Sequence, residues 1–248
     1  MPKLTPPRLI LAAAVLFASL AAANGSATAA AAAARPKGVI ELFTSQGCSS
    51  CPPADKFLGE LSRDTSLIVL SMPVDYWDYI GWKDTLASPQ CTARQKDYAA
   101  ARGDAQIYTP QIIIDGVTQV LGADRGATLM NLEEDRSLKG VMSVDVAANV
   151  ADGVASVDIG AGADENAAVW LMEVEPSVTV KVGRGENAGH TLTYVNVVRK
   201  MTRLGAWQGR PAHFEAPAPS KPDHFYVALL QAGSPDRPGA ILGAATTR

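Results

Sequence analysis

The sequence is poor in residues that hold metals. It has three cysteines and three histidines in 248 residues, scattered apart from one close pair of cysteines. A structural zinc site takes about four ligands, so one here would have to draw on Cys91 and distant histidines. An excess of positive charge is also missing. Lysine and arginine total 22 against 25 acidic residues, no basic patch stands out, and nucleic acid is not expected as a partner. After residue 23 no apolar stretch is long enough to cross a membrane as a helix. Aromatic residues make up only 6 % of the chain, yet Tyr76, Trp77, Tyr79 and Trp82 crowd together. No internal repeat is present. The apolar content is ordinary and supports a sizeable core.

The N-terminus reads as an export signal. Lys3 and Arg8 form a basic start, Leu9 to Ala23 is apolar, and small residues follow, the pattern of a secretory leader. Cleavage sites after Ala23, Ala29 and Ala34 look alike. An uncleaved anchor is the alternative, although the apolar run is short for a span. Residues 1–34 are therefore expected to be leader and alanine-rich lead-in. The protein is expected to be periplasmic or secreted, where a Cys-x-x-Cys pair can live oxidised. Membrane contact is expected only through a retained leader.

The remaining chain is organised around residues 39–55. A β-favouring run, Val39-Ile40-Glu41-Leu42-Phe43-Thr44, leads through Ser45-Gln46-Gly47 into Cys48-Ser49-Ser50-Cys51, and Pro52-Pro53-Ala54-Asp55 follows. Prolines lack an N–H and fit a helix only in its first turn, so the helix cap falls at Ser50 or later. Cys48 then lies just outside the helix and Cys51 in its first turn. Unpaired N–H groups and the positive end of the helix dipole favour an anion there, and the thiolate is the nucleophilic form of cysteine. Cys48 is assigned as the exposed attacking thiol. Cys51 is the resolving thiol, close enough to close the disulfide. A structural disulfide and half of a metal site are the blander readings.

Hydrophobic periodicity orders residues 35–139 as β-α-β-α-β-β-α. Strands are expected over 39–44, 66–74, 111–114 and 117–121, with a hairpin turn at Asp115-Gly116. Helices are expected over 50–63, from Ser88-Pro89 to Arg102, and over 124–138. Residues 140–248 alternate like strands, over 141–150, 154–159, 168–174, 178–182, 191–199 and 225–231. The fold class is α/β, with one domain at 35–139 and a β-rich C-terminal module at 140–248. That module is expected as a sandwich or as a sheet laid against the first domain.

In this order of elements and in the cysteine motif, residues 39–139 resemble the thioredoxin superfamily, which implies a thioredoxin-like domain. More narrowly, the chain resembles a domain-of-unknown-function family of exported bacterial thioredoxin-like proteins. The pieces that carry this are Glu41 to Asp55, Val74-Asp75-Tyr76-Trp77-Asp78, Gly81-Trp82-Lys83-Asp84, Tyr108-Thr109-Pro110-Gln111 and Gly185-Glu186-Asn187-Ala188-Gly189-His190-Thr191-Leu192. The last lies in the β-rich half, so the likeness covers nearly the whole chain after the leader. The resemblance implies a cis-proline opposite the cysteines. Pro110 matches it, with Thr109 offering its backbone to an extended substrate. It also implies a buried carboxylate for proton transfer on the strand before the cysteines, matched by Glu41. A strand-edge residue in solvent is the alternative for Glu41.

Trp77, Tyr76, Trp82 and Asp75 are the candidate substrate-binding residues, as a lid after a strand that should end beside the cysteines. Packing alone is the alternative for the aromatic residues, and loop capping for Asp75 and Asp78. Cys91 fits a small buried apolar role or a third redox thiol. His190, Asn187 and Asn196 are read as loop hydrogen bonding. The expected activity is thiol–disulfide exchange, with a mixed disulfide at Cys48 resolved by Cys51. Its substrate is a protein or small-molecule thiol or disulfide, and its redox partner is unnamed. No cofactor or metal is needed, since the dithiol carries the electrons. A non-catalytic binding module with a structural disulfide is the alternative from another class. A Cu(I) chaperone using both thiolates is the third.

Overall fold

Seven consecutive buried residues, Gly38–Thr44, form β1. A strand covered on both faces reads as such an unbroken run. The computed structural model describes residues 1–3, 35–163, 166–218, 221 and 223–248; the expected leader falls, after residue 3, outside them. β2, Leu67–Pro73, runs parallel to β1, and β3, Gln111–Ile114, runs antiparallel on its other side. β4, Thr118–Leu121, pairs with β3. Asp115 and Gly116 make the turn between them with φ of 48° and 73°, the left-handed pair that a two-residue hairpin favours.

Three helices connect these strands. α1, Pro52–Leu61, follows β1. A 3₁₀ turn, Asp78–Ile80, and then α2, Pro89–Arg102, follow β2. α3, Arg125–Asp135, follows β4. The Ser88 side chain caps α2 by accepting from the Gln90 N–H, Pro89 fills the first turn, and Gly103 ends the helix at φ 80°. The order β-α-β-α-β-β-α expected from the sequence is the order observed.

The C-terminal half supplies β5, Val146–Ala151; β6, Val154–Ile159; β7, Ala167–Lys181; β8, Thr191–Trp207; β9, Ala212–Pro217; β10, Phe225–Ser234; and β11, Arg237–Thr246. It does not build a module of its own, as the boundary at 139 implied. Four of its strands extend the first sheet in the order β11-β10-β7-β8-β2-β1-β3-β4. The join is a parallel contact of β2 with β8 at Ser71 and Val197. The result is a mixed α/β fold with a large, mostly antiparallel sheet and few helices, and residues 33–248 form one compact unit. β5, β6 and β9 make a separate three-stranded sheet. The strands expected at 168–174 and 178–182 are one strand that runs through Pro176. Its missing N–H is harmless, because β10 pairs with β7 only as far as Val174.

Side chains alternate across the sheet. Ile40 and Leu42 pack with Ala54, Phe57 and Leu58 of α1 and with Leu132 of α3. Val39 and Phe43 pack with Cys91 and Tyr98 of α2 on the opposite face. A third core, with Val157, Val169, Trp207 and Leu230, joins the small sheet to the large one.

Gly116 fixes the register of the β3–β4 hairpin against β11. A β-carbon there would meet the Gly239 carbonyl oxygen at 2.4 Å, in a backbone with φ of 73°. We expect Gly116→Ala to lower unfolding stability by about 2–5 kcal/mol, the sum of left-handed strain and overpacking. Urea unfolding measures this, and a loss under about 0.5 kcal/mol would contradict the placement.

Candidate functional site

The loop from Ser45 to Cys51 carries β1 into α1. Cys51 is the N-cap of α1, and Pro52 and Pro53 occupy the first turn. Cys48 and Cys51 are joined as a disulfide with Cα atoms 5.4 Å apart. Turns close the loop: the Cys48 N–H donates to Ser45 O and the Cys51 N–H to Cys48 O, each at 3.2 Å. The Ser50 hydroxyl lies 3.4 Å from Cys48 Sγ. The Thr109–Pro110 peptide is cis. A β-carbon on Gly122 would meet Pro110 at 2.8 Å and Ala54 at 3.2 Å, so Gly122 packs against both Pro110 and the first turn of α1.

The expectation of an exposed Cys48 is not met. Both cysteines are 0 % exposed, because two segments cover the loop. From the first, Trp77 and Ile80 pack on Gly47, where a β-carbon would meet them at 3.1 and 3.0 Å. Trp77 also donates from Nε1 to Thr109 Oγ1 at 2.8 Å, and Trp82 from Nε1 to Gln46 Oε1 at 2.8 Å. The buried Asp84 accepts from the Gln46, Leu86 and Ala87 N–H groups. The second segment is the loop between β7 and β8. Asn187 Nδ2 donates to the carbonyls of Gln46 and Cys48, each at 2.9 Å, and Glu186 accepts from the Ser49 N–H at 3.1 Å.

The other expected residues divide between these segments and the α2 face. Asp75 accepts from Thr92 of α2 at 2.6 Å, which anchors the start of the aromatic segment. Tyr76 is half-buried, its hydroxyl without a hydrogen bond. Asn187, expected to hydrogen-bond within its loop, instead bonds backbone 139 residues away, in the cysteine loop. Only its place in the Gly185–Leu192 motif pointed there. Asn196 donates instead to Val69 O.

Glu41 does not serve the cysteines. It lies on the α2 face of β1, while α1 covers the other face. Its oxygens accept from Arg94 at 2.6 and 2.9 Å and from the Tyr98 hydroxyl. Gln231 extends this buried network to β10. Removing one partner of such a buried pair costs about 3–5 kcal/mol, so its role is to hold α2 and the two halves of the sheet together. Cys91 is buried and free in the same core. Burial first, then the Glu41 charge, push its thiol up to about 12, which makes it unreactive in the folded chain.

A different carboxyl is unpaired beside the cysteines. Asp55 follows Cys51 by one turn of α1 and is 6 % exposed. Neither oxygen makes a hydrogen bond of good geometry. Burial pushes it up to about 8, with the neighbouring Thr44 hydroxyl pulling down and the Asp84 charge adding to the rise. Asp55 borders an open cleft of about 560 Å³ with Lys56, Gly59, Thr191 and Thr193. Among the described residues no cluster of three or more histidine, cysteine or acidic side chains is placed to hold a metal. No described helix is long and apolar enough to cross a membrane.

The sequence profile of the protein of unknown function DUF1223 matches residues 39–231. The structure is similar to the crystal structure of protein AGR_C_4864 from Agrobacterium tumefaciens, with a TM-score of 0.77 and 36 % identity over 87 % of this chain and 95 % of that one. It is also similar to HBP35 of Porphyromonas gingivalis, with a TM-score of 0.58 and 12 % identity over 86 % and 74 % of the two chains; that likeness is one of fold. No curated protein matches the sequence.

Two buried acids set a pH dependence. Asp115, held up at about 7 chiefly by burial, and Asp55, at about 8, keep protons that the unfolded chain releases near pH 4. The folded state therefore binds more protons between about pH 4 and 8, and stability falls as pH rises through that window. Each group contributes a slope of at most about 1.4 kcal/mol per pH unit. Urea unfolding at pH 5 and pH 7.5 measures it. We expect Asp55→Asn to flatten the slope, and an unchanged slope would contradict the buried, unpaired state of Asp55.

Proposed function

We propose that this chain, which belongs to the DUF1223 family of proteins of unknown function, is an exported thiol–disulfide oxidoreductase whose cysteine pair works behind a cover of its own chain. The observation that carries this is the Cys48–Cys51 disulfide with Cys51 as N-cap of α1. On reduction, the start of the helix favours an anion at the sulfurs. The Ser50 hydroxyl is placed to donate to a Cys48 thiolate. The element order, and Pro110 and α1 meeting the same Gly122, support reading residues 35–139 as a thioredoxin-like domain. The leader pattern supports export.

In the reducing direction, the Cys48 thiolate attacks a substrate disulfide and one substrate sulfur leaves as thiolate. Cys51 then attacks Cys48 Sγ, the Cys48–Cys51 bond forms and the second substrate sulfur leaves. The dithiol loses two electrons and the substrate gains them. Substrate must first displace Trp77 from Thr109 and the Asn187 loop from Cys48, because these occupy the approach. The freed Thr109 backbone then aligns the partner. This cover narrows the range of substrates. A second reading, a binding module with a structural disulfide, draws its support from the complete burial of both sulfurs.

Single-cysteine variants separate the two. With glutathione disulfide as probe, we expect Cys51→Ala to form a stable mixed disulfide at Cys48. Cys48→Ala should form one at Cys51 far more slowly. Mass spectrometry of intact folded protein reads both. Equal, negligible labelling of the two variants would favour the structural disulfide.

A further inference from the structure

Cys51 attacks as a thiolate, so when it resolves a mixed disulfide its proton must pass to a nearby group. Glu41 is on the far face of the sheet and held by Arg94. Asp55 is differently placed. Its N–H donates to the Cys51 carbonyl at 3.1 Å, the helical i, i+4 spacing that puts the two side chains on one face. It is buried with only the Thr44 hydroxyl beside its oxygens and no hydrogen bond of good geometry, a costly state for a carboxyl and one that clusters at working sites.

Its surroundings fit the same task. Thr44 Oγ1 of β1, which neighbours Asp55, and the Tyr194 hydroxyl of β8 are also buried without a hydrogen bond of good geometry. Burial first, then the nearby Asp55 and Asp84, push the Tyr194 hydroxyl up. Lys56, Glu60 and Arg63 stand along the cleft that Asp55 borders. Nothing in this group neutralises Asp55 as Arg94 neutralises Glu41.

We propose that Asp55 is the base that takes the Cys51 proton during resolution, an assignment that rests on the oxidoreductase reading above. The Cys51 S–H bond breaks and its proton goes to an Asp55 oxygen. The Cys51–Cys48 sulfur bond forms, the bond from Cys48 to the substrate sulfur breaks, and that sulfur leaves with the electron pair as thiolate. Asp55 then releases the proton through the cleft. In the opposite direction, protonated Asp55 returns a proton to Cys51 as a partner thiolate opens the disulfide. Held near 8 mainly by burial, Asp55 has both forms available close to neutral pH.

Stopped-flow reaction of the reduced protein with dithiobis(nitrobenzoate) tests this. The first nitrothiobenzoate released reports attack by Cys48, and the second reports resolution by Cys51. In Asp55→Asn we expect the first rate to be unchanged. The second should slow by about 100-fold at pH 7, the scale of general-base catalysis, with the deficit closing as pH rises past the thiol's own pKa. An unchanged second rate, or a deficit equal at all pH values, overturns the proposal and leaves the oxidoreductase reading standing. No release of either thiolate overturns both. Thr44→Val keeps Asp55 and supplies an independent readout. Losing the hydroxyl that favours the ionised form should move the midpoint of the wild-type second-step pH profile upward, and an unmoved midpoint also overturns the proposal.

Discussion

Two hydrogen bonds from one side chain decide what the cysteine loop can do. Asn187 binds the carbonyls of Gln46 and Cys48 at once, so the strand-rich half of the chain holds the loop of the helical half in place. The sheet makes this possible. β8 lies beside β2, and the loop before β8 therefore reaches the end of β1 where the cysteines lie. Trp77, Ile80 and Trp82 complete the cover from the other side. Without that seam the disulfide would stand open at the tip of α1. With it, both sulfurs are out of solvent, and any exchange with a partner is conditional on moving the cover.

The alternation of side chains along β1 sorts the buried acids. Odd positions face α2 and even positions face α1. Glu41 therefore enters a paired, bidentate contact with Arg94, while Thr44 faces the helix that bears Asp55. Two carboxyls that look equally buried have opposite chemistry. One is held by Arg94 in a close two-point contact. The other has only the Thr44 hydroxyl beside it and no cation, and burial pushes it up to about 8. A buried pair of the first kind braces a fold. A buried carboxyl of the second kind, with no cation beside it, is the kind that clusters at working sites.

Local chemistry in the sequence was enough to read much of this architecture. Pro52-Pro53 set the start of α1, Ser88-Pro89 and Gly103 bounded α2, and Asp115-Gly116 turned the hairpin, because each acts through its own backbone. What escaped were relations across distance. Ala167–Lys181 is one strand where two are expected, at 168–174 and 178–182, and β10 ends beside Val174. The β-rich half looked separate, because no local signal announces a strand pair such as Ser71 with Val197. Glu41 was assigned from its place before the cysteines, and its partner Arg94 lies 53 residues away. Asp55 was in view within the motif, but only the unpartnered burial of its carboxyl gives it a role.

The central claim is that a sealed disulfide is nonetheless a working one. The equilibrium reduction potential of the Cys48–Cys51 pair, measured against glutathione and dithiothreitol buffers on the folded protein, tests it most directly. The account expects a value between about −270 and −120 mV, the range of exchange catalysts. A value below about −300 mV, where structural disulfides lie, would contradict it.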